Sequence, residues 1–163
     1  MYQKLIIAVA CIGLTGGVTS TRLYAADTPA VDKPAHNWRH PGMHRALEAL
    51  FEAQTLLATA AHDFAGYRRK AMRNTEDAIK EVETALKVEN DLPGRRQKPT
   101  RPAEKDQSPE AAQKQMRDAR RTLVAAQAEL HQSRGGFEGH RESAGNLIRE
   151  ALKNVDDGLA VSK

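Results

Sequence analysis

Three histidines, His36, His40 and His44, stand four residues apart near the start of the chain. Residues four apart share one face of a helix, and two imidazoles at that spacing can bind one metal ion. Pro41 and Gly42 interrupt the face, so the cluster would combine a loop with the first turn of a helix. Because neutral imidazole suits Zn²⁺ and Cu²⁺, the three histidines form a candidate site for either metal.

A second set of polar side chains belongs to two short segments with a common pattern. Residues 63–71 read DFAGYRRKA and residues 136–144 read GFEGHRESA, with Phe, Gly, Arg and Ala at equal positions. Arginine guanidinium groups bind anions strongly. If the two segments meet at one end of the fold, they form an anion or partner site from five residues: Asp63, Tyr67, Arg68, His140 and Arg141.

The two arginines also have a structural interpretation. Arg68 and Arg141 fall in the first turn of a helix, where the helix dipole disfavours a positive charge. Each guanidinium is therefore expected to hydrogen-bond the unpaired carbonyls at the end of the preceding helix. Gly66 and Gly139 lie at the helix junctions, where we expect a positive φ that glycine adopts without strain.

Sequence motifs of common enzyme classes do not occur in the chain. It has no glycine-rich phosphate loop, no nucleophile elbow and no paired Glu-x-x-His of a di-iron bundle. The acidic residues of the predicted helices lie on exposed phases or beside basic residues, as on a solvated surface. We therefore expect a non-enzymatic protein without a cofactor, unless the histidines bind a metal.

The chain contains an ungapped internal repeat. Shifting the sequence by 73 residues aligns like residues along most of the chain beyond residue 42. An ungapped match of that extent indicates a duplicated unit. The aligned pairs include Met43 with Met116, Leu50 with Leu123, Leu57 with Leu130, Phe64 with Phe137 and Leu86 with Leu159.

Apolar residues recur every seven positions within each unit. Large residues form one row and alanines the other, a pattern typical of helices that pack closely. Each unit is predicted to be an antiparallel helical hairpin, and two hairpins are needed to cover each other's apolar faces. We therefore predict an all-α four-helix bundle of two repeated hairpins, with helices at 42–61, 67–88, 109–133 and 140–160.

The first 25 residues have the pattern of a secretory signal peptide. Lys4 precedes an apolar run at residues 5–18, and small residues follow around Ala25 and Ala26, where cleavage is expected. The mature protein would then be periplasmic or secreted. The alternative is an uncleaved membrane anchor, although a span needs about 20 apolar residues and this run is shorter.

Cleavage would change the chemistry of the mature chain. Cys11 is the only cysteine, so its loss excludes disulfides and thiolate ligands. Lys4 and Arg22 would also be lost, which lowers the formal charge from +4 to +2. So small a charge, without aromatic residues among the basic ones, argues against nucleic-acid binding.

These patterns divide the chain into five parts. They are the signal peptide at 1–25, a His-rich tail at 26–41, the first hairpin at 42–88, a Pro-rich basic linker at 89–108 and the second hairpin at 109–163. The linker prolines exclude a continuous helix. Because the extended linker can cross the bundle, the order of the helices and the exchange of hairpins in a homodimer both stay open.

The turn segments also resemble those of a family of proteins. The pattern Asp-Phe-x-Gly-[Tyr/His]-Arg-x-x-Ala is similar to that of small exported bacterial proteins of unassigned role, whose helical hairpins carry a Gly-His-Arg turn. Tyr67 stands in the place of the histidine in the first copy, and Gly136 replaces the acid in the second. The resemblance brings no activity with it. The matching residues are Asp63, Phe64, Gly66, Arg68 and Ala71, then Phe137, Gly139, His140, Arg141 and Ala144.

The sequence thus predicts an exported, non-enzymatic helical bundle that binds another protein or a small molecule. The alternative is a periplasmic protein that binds Zn²⁺ or Cu²⁺ through its N-terminal histidines. Contact with a membrane is expected only through an uncleaved signal segment.

Overall fold

The computed structural model describes residues 38–91 and 107–162. The predicted signal peptide, most of the His-rich tail and most of the linker lie outside these residues. The described residues form an all-α four-helix bundle, as predicted, and contain no strand. The helices are α1 (Pro41–Thr59), α2 (Tyr67–Val88), α3 (Pro109–Gln132) and α4 (His140–Ala160).

The helix ends follow local sequence signals. Pro41 and Pro109 begin α1 and α3, where the missing N–H has no partner to lose. Ser108 caps α3, because its Oγ accepts a hydrogen bond from the Ala111 N–H at 3.2 Å. The side chain of His40, at the same position before α1, makes no such bond. The cap of α1 therefore comes from elsewhere in the chain.

Each hairpin turn contains a short 3₁₀ segment, Phe64–Gly66 or Phe137–Gly139. Gly66 and Gly139 have φ values of 83° and 85°, which confirms the predicted left-handed junction. Phe64 and Phe137 fold back into the core and are 7% and 1% exposed. The turn glycine thus lets the next helix start while the phenylalanine closes the end of the apolar rows.

The two heptad rows form the core. Helix α1 packs against α2 and α3, and α4 packs against the same two helices. The predicted rows are fully buried at Met43, Leu50, Leu57, Met116 and Leu123. Alanines fill the second row at zero exposure, which lets the helices approach closely. These alanines are Ala46, Ala53, Ala60, Ala71, Ala78, Ala85, Ala112, Ala119, Ala126, Ala144 and Ala151.

The two hairpins pack antiparallel, so their turns lie at opposite ends of the bundle. The Gln107 side chain before α3 accepts a hydrogen bond from Ala61 N–H at 2.8 Å, in the first turn. At the other end, the His40 ring contacts Phe137 of the second turn, with ring centroids 5.0 Å apart. We call the first end the turn-1 pole (residues 59–67, 107–109 and 160–162) and the second the histidine pole (residues 38–42, 89–91 and 133–140).

This packing fixes the helix order that the sequence left open. Around the bundle the helices follow one another as α1, α2, α4 and α3, with each neighbour antiparallel. Asp91 lies at the histidine pole and Gln107 at the turn-1 pole, so the chain between them joins opposite ends. None of the helices in the described part of the chain is both long and apolar enough to cross a membrane.

Candidate functional site

The structure does not bring the five predicted anion-site residues together. Asp63, Tyr67 and Arg68 lie at the turn-1 pole, whereas His140 and Arg141 begin α4 at the histidine pole. The expectation of one shared end was wrong, because the hairpins pack antiparallel. At the turn-1 pole the Asp63 carboxylate pairs with the neighbouring Arg69 at 3.0 Å.

Both arginines instead cap the preceding helix, as the structural interpretation predicted. Arg68 Nη1 donates a hydrogen bond to the Leu57 carbonyl oxygen at 2.9 Å, in the last turn of α1. Arg141 Nη1 donates to the carbonyl oxygen of Ser133, the residue that ends α3. Each guanidinium therefore satisfies a carbonyl that the helix itself leaves unpaired.

Asp91 caps the start of α1 across the first hairpin. Asn90 adopts the left-handed conformation, with φ 52°, and the following Asp91 N–H donates to the Leu86 carbonyl at 2.8 Å. This pattern turns the chain back over the end of α2. The Asp91 carboxylate then accepts a hydrogen bond from the His40 backbone N–H at 2.8 Å, which supplies the cap that His40 itself lacks.

His44 is a buried imidazole beside this carboxylate. Its Nε2 lies 3.2 Å from Asp91 Oδ2 and its side chain is 3% exposed. Burial lowers the pKa of His44 below its ordinary value, even though Asp91 favours the protonated form. Burial alone would raise the pKa of Asp91, but the hydrogen bonds from His40 and His44 lower it overall. The Trp38 ring packs edge-on against His44.

Two further histidines at the same pole approach carboxylates. His40 Nε2 lies 3.5 Å from Glu89 Oε2, and His140 Nδ1 lies 2.7 Å from Glu81 Oε2. The first pair joins the start of α1 to the end of α2, and the second joins α4 to α2. The histidine pole is thus a cluster of three imidazole and carboxylate pairs.

Only part of the predicted metal site falls on described residues. His40 and His44 both lie at the start of α1, but His36 precedes residue 38. Within residues 38–91 and 107–162, no group of three or more His, Cys, Asp or Glu side chains is placed to hold a metal ion.

The repeat allows the two poles to be compared residue by residue. His40 and Glu89 correspond to Gln113 and Ser162 at the turn-1 pole. There the Gln113 Nε2 donates to the Ser162 carbonyl at 2.9 Å, a neutral contact in the place of the His40 and Glu89 pair. His44 corresponds to Arg117, whose side chain is exposed. The His40 and Glu89 pair and the buried His44 are therefore not repeated at the turn-1 pole.

A basic cleft of about 310 Å³ opens beside this cluster. Arg45 in its wall pairs with Glu129 at 2.9 Å, whereas Arg39 and Arg134 are exposed. Sequence reasoning missed this cleft because Arg39 and Arg134 lie almost 100 residues apart, in segments that only the packing brings together. The cleft is lined by Arg39, His40, Pro41, Gly42, Arg45, Gln132, Ser133 and Arg134.

Sequence reasoning also assigned Glu89 and Asp91 to the linker. The signal that identifies them is the asparagine between them, since Asn tolerates the left-handed conformation that ends a helix.

Comparison of the chain with protein family models, with curated proteins and with solved structures gives no match.

Proposed function

We propose that the chain is an exported, non-enzymatic binding module whose histidine pole contacts a partner protein. The observation that carries this proposal is the difference between the two poles. Gln113 and Ser162 hold the turn-1 pole together with a neutral contact. The fold therefore does not need His40 and Glu89 at the equivalent positions, and a binding role accounts for them.

The positive charge of the basic cleft indicates which kind of partner it binds. Arg39 and Arg134 are exposed at its edge, and Pro41 and Gly42 at the start of α1 also line it. Exposed guanidinium groups bind carboxylates in paired hydrogen bonds. The cleft thus fits an acidic segment of another protein.

Site-specific photo-crosslinking in the exporting organism tests this proposal. A photoreactive residue at Arg134 is expected to capture a defined protein, and the same residue at Ala61, its repeat equivalent at the turn-1 pole, is not. The adduct should weaken when Arg39 is replaced by Glu. Equal capture from both positions, or capture unaffected by Arg39→Glu, would contradict the proposal.

Export is tested separately on the same material. N-terminal sequencing of the protein from the periplasm or the medium is expected to show a chain that begins after Ala25 or Ala26. A chain that retains residues 1–25 in the membrane fraction would instead support the anchor.

Metal binding is the second candidate function. It is favoured by His44, whose buried Nδ1 atom has no hydrogen-bond partner among the described residues and is a nitrogen that can bind a metal. Calorimetry with Zn²⁺ and with Cu²⁺ compares the mature chain with a variant in which His36, His40 and His44 are alanine. A dissociation constant weaker than about 1 mM for both metals would remove this candidate.

A further inference from the structure

A second cleft, of about 360 Å³, lies between α3 and α4 on the side of the bundle. We call it the α3–α4 groove. Leu130, which is only 2% exposed, is its one aliphatic side chain, and most of the other lining residues carry hydrogen-bonding groups. The groove is lined by Gln127, Leu130, His131, Arg141, Glu142, Gly145, Asn146 and Arg149.

The equivalent place in the first hairpin is filled. Gly145 corresponds to Met72, whose side chain packs against the core and whose Sδ lies 3.7 Å from Arg68 Nη1. A Cβ atom added to Gly145 would meet no heavy atom within 4 Å. The repeat therefore shows that the groove occupies the space that a methionine side chain takes up in the other copy.

Gly145 serves neither of the usual structural purposes of a helical glycine. Its φ is not positive, and no neighbouring helix approaches it closely. Glycine inside a helix lowers its stability relative to alanine, because the unfolded chain gains freedom. The structural effect of glycine at this position is that the groove is open.

Two polar residues of the groove stand where the first hairpin has an acidic residue and an apolar residue. There Gln54 Nε2 donates to Glu76 Oε1 at 3.0 Å, and Ala58 follows four residues after Gln54 in α1. The corresponding residues of the second hairpin are Gln127, Arg149 and His131. The guanidinium of Arg149 thus stands where the first hairpin has the carboxylate of Glu76, and the imidazole of His131 stands where it has the methyl group of Ala58.

The charge of the groove favours an anion. Arg141 uses one of its five N–H donors on Ser133, and Arg149 donates to Asn146 on an exposed part of α4. Glu142 is the one carboxylate among the lining residues, so two guanidinium groups face a single negative charge. The paired N–H donors of a guanidinium bind carboxylates and phosphates.

We infer that the α3–α4 groove binds a small organic carboxylate. The acid group pairs with the guanidinium of Arg149, and a short apolar body fills the open space over Gly145. The volume is near the lower end of the range of ligand pockets, which suits a small molecule. The open space over Gly145, which the Met72 side chain takes up in the other copy, favours an organic acid over inorganic phosphate. The groove adjoins the histidine pole through the contact of Arg141 with Ser133, but the inference does not depend on the function proposed for that pole.

NMR titration of the ¹⁵N-labelled full chain tests the inference with three probes: hexanoate, hexanamide and inorganic phosphate. Hexanoate is expected to shift the backbone amides of His131, Gly145 and Asn146 with a dissociation constant of about 1 mM or tighter. Hexanamide lacks the charge and phosphate lacks the apolar body, so both should bind at least about tenfold more weakly. Equal or tighter binding of either one would overturn the choice of an organic carboxylate, and no saturable shift with hexanoate would overturn the site.

Matched variants separate the groove from general surface binding. Gly145→Met fills the space as Met72 does and should abolish the hexanoate shifts while the fold is kept, whereas Gly145→Ala should retain them. Arg149→Gln should weaken hexanoate about tenfold, since it removes a charge-assisted hydrogen bond. Met72→Gly opens the equivalent space beside Glu76 and should gain no hexanoate binding. Retained binding in Gly145→Met would refute the groove as the site.

Discussion

The guanidinium of Arg68 reaches back across the first turn and hydrogen-bonds the carbonyl oxygen of Leu57 at 2.9 Å. Arg141 makes a similar contact in the second hairpin, with the Ser133 carbonyl, which lies three residues beyond the repeat equivalent of Leu57. A positive charge at the start of one helix is thus compensated by the negative end of the helix before it. The arginine that both turns contain therefore stabilises its own hairpin.

Replacing Arg68 by alanine should therefore destabilise the bundle. The Leu57 carbonyl loses a hydrogen bond from a charged group, an interaction that contributes about 1.5–3 kcal/mol. Urea denaturation followed by circular dichroism measures the loss, and Arg141→Ala should lose a comparable amount. Arg69→Ala is the control, because its exposed ion pair with Asp63 contributes at most about 1 kcal/mol. Unchanged stability in both Arg68→Ala and Arg141→Ala would contradict the capping role.

The Asp91 cap gives a second prediction. Asp91→Ala removes the acceptor for the His40 N–H and is expected to cost about 0.5–2 kcal/mol, as for other helix caps. Amide hydrogen exchange should show faster exchange at the start of α1 than in the wild type, while α3 is unaffected. Asp77→Ala, which removes only an exposed contact with Lys80, is the matched substitution. Equal exchange at the start of α1 in the Asp91 variant would exclude the cap.

The buried His44 predicts that acid weakens the fold. Its pKa is lower in the folded protein than its ordinary value of 6.5, so the unfolded chain binds more protons as the pH falls. Stability due to neutral His44 is thus present above pH 6.5 and is lost as the pH falls from 6.5 through the folded pKa. Asp91, whose pKa is lowered from 3.8, adds a further loss below about pH 4.

Denaturation of the wild type and of His44→Gln at several pH values between 7 and 5 checks this prediction. The groups that face His44 are Asp91, Glu48 and the neighbouring His40, and they remain in the variant. The wild type should lose stability over this interval, and His44→Gln should lose less of it. The opposite slope, with the wild type stabilised by acid, would show that His44 is charged in the fold.

Two glycines predict opposite effects of the same substitution. A Cβ at Gly42 would lie 2.5 Å from Ser133 Oγ and 3.2 Å from the Glu129 carbonyl oxygen, so Gly42→Ala should destabilise by about 1–3 kcal/mol. Gly145 has open space around it, and Gly145→Ala should stabilise by about 0.5–1 kcal/mol. Thermal unfolding of both variants measures the difference. A melting temperature that rises in both would show that α1 does not need the close approach.

The fold could be predicted from the sequence because local and global signals agree. The rows that contain Leu50 and Ala53 are buried, and Tyr67 and His140 begin their helices at the predicted residues. The order of the helices could not be predicted, because it is set by how the hairpins pack. A linker long enough to join either end is compatible with several arrangements.

The role of a residue in the candidate sites could be predicted only where a charged side chain stands at a helix end that disfavours it. Arg68 was recognisable, since a cation at a helix start must find compensation. The role of Asp91 depends on the left-handed Asn90, a local conformation with a weak sequence signal. The groove at Gly145 has no sequence signal of its own. It is recognised by comparison with Met72, the equivalent residue of the first hairpin, whose side chain packs against the core.

The packing of α1 on α3 and of α2 on α4 means that each helix meets its own copy. The bundle therefore has the arrangement of a homodimer of hairpins joined in one chain. In a dimer of identical chains, every substitution appears twice, at both symmetry-related places. A single chain removes that constraint, so one hairpin keeps Met72 for packing while the other is free to carry Gly145 and a different surface.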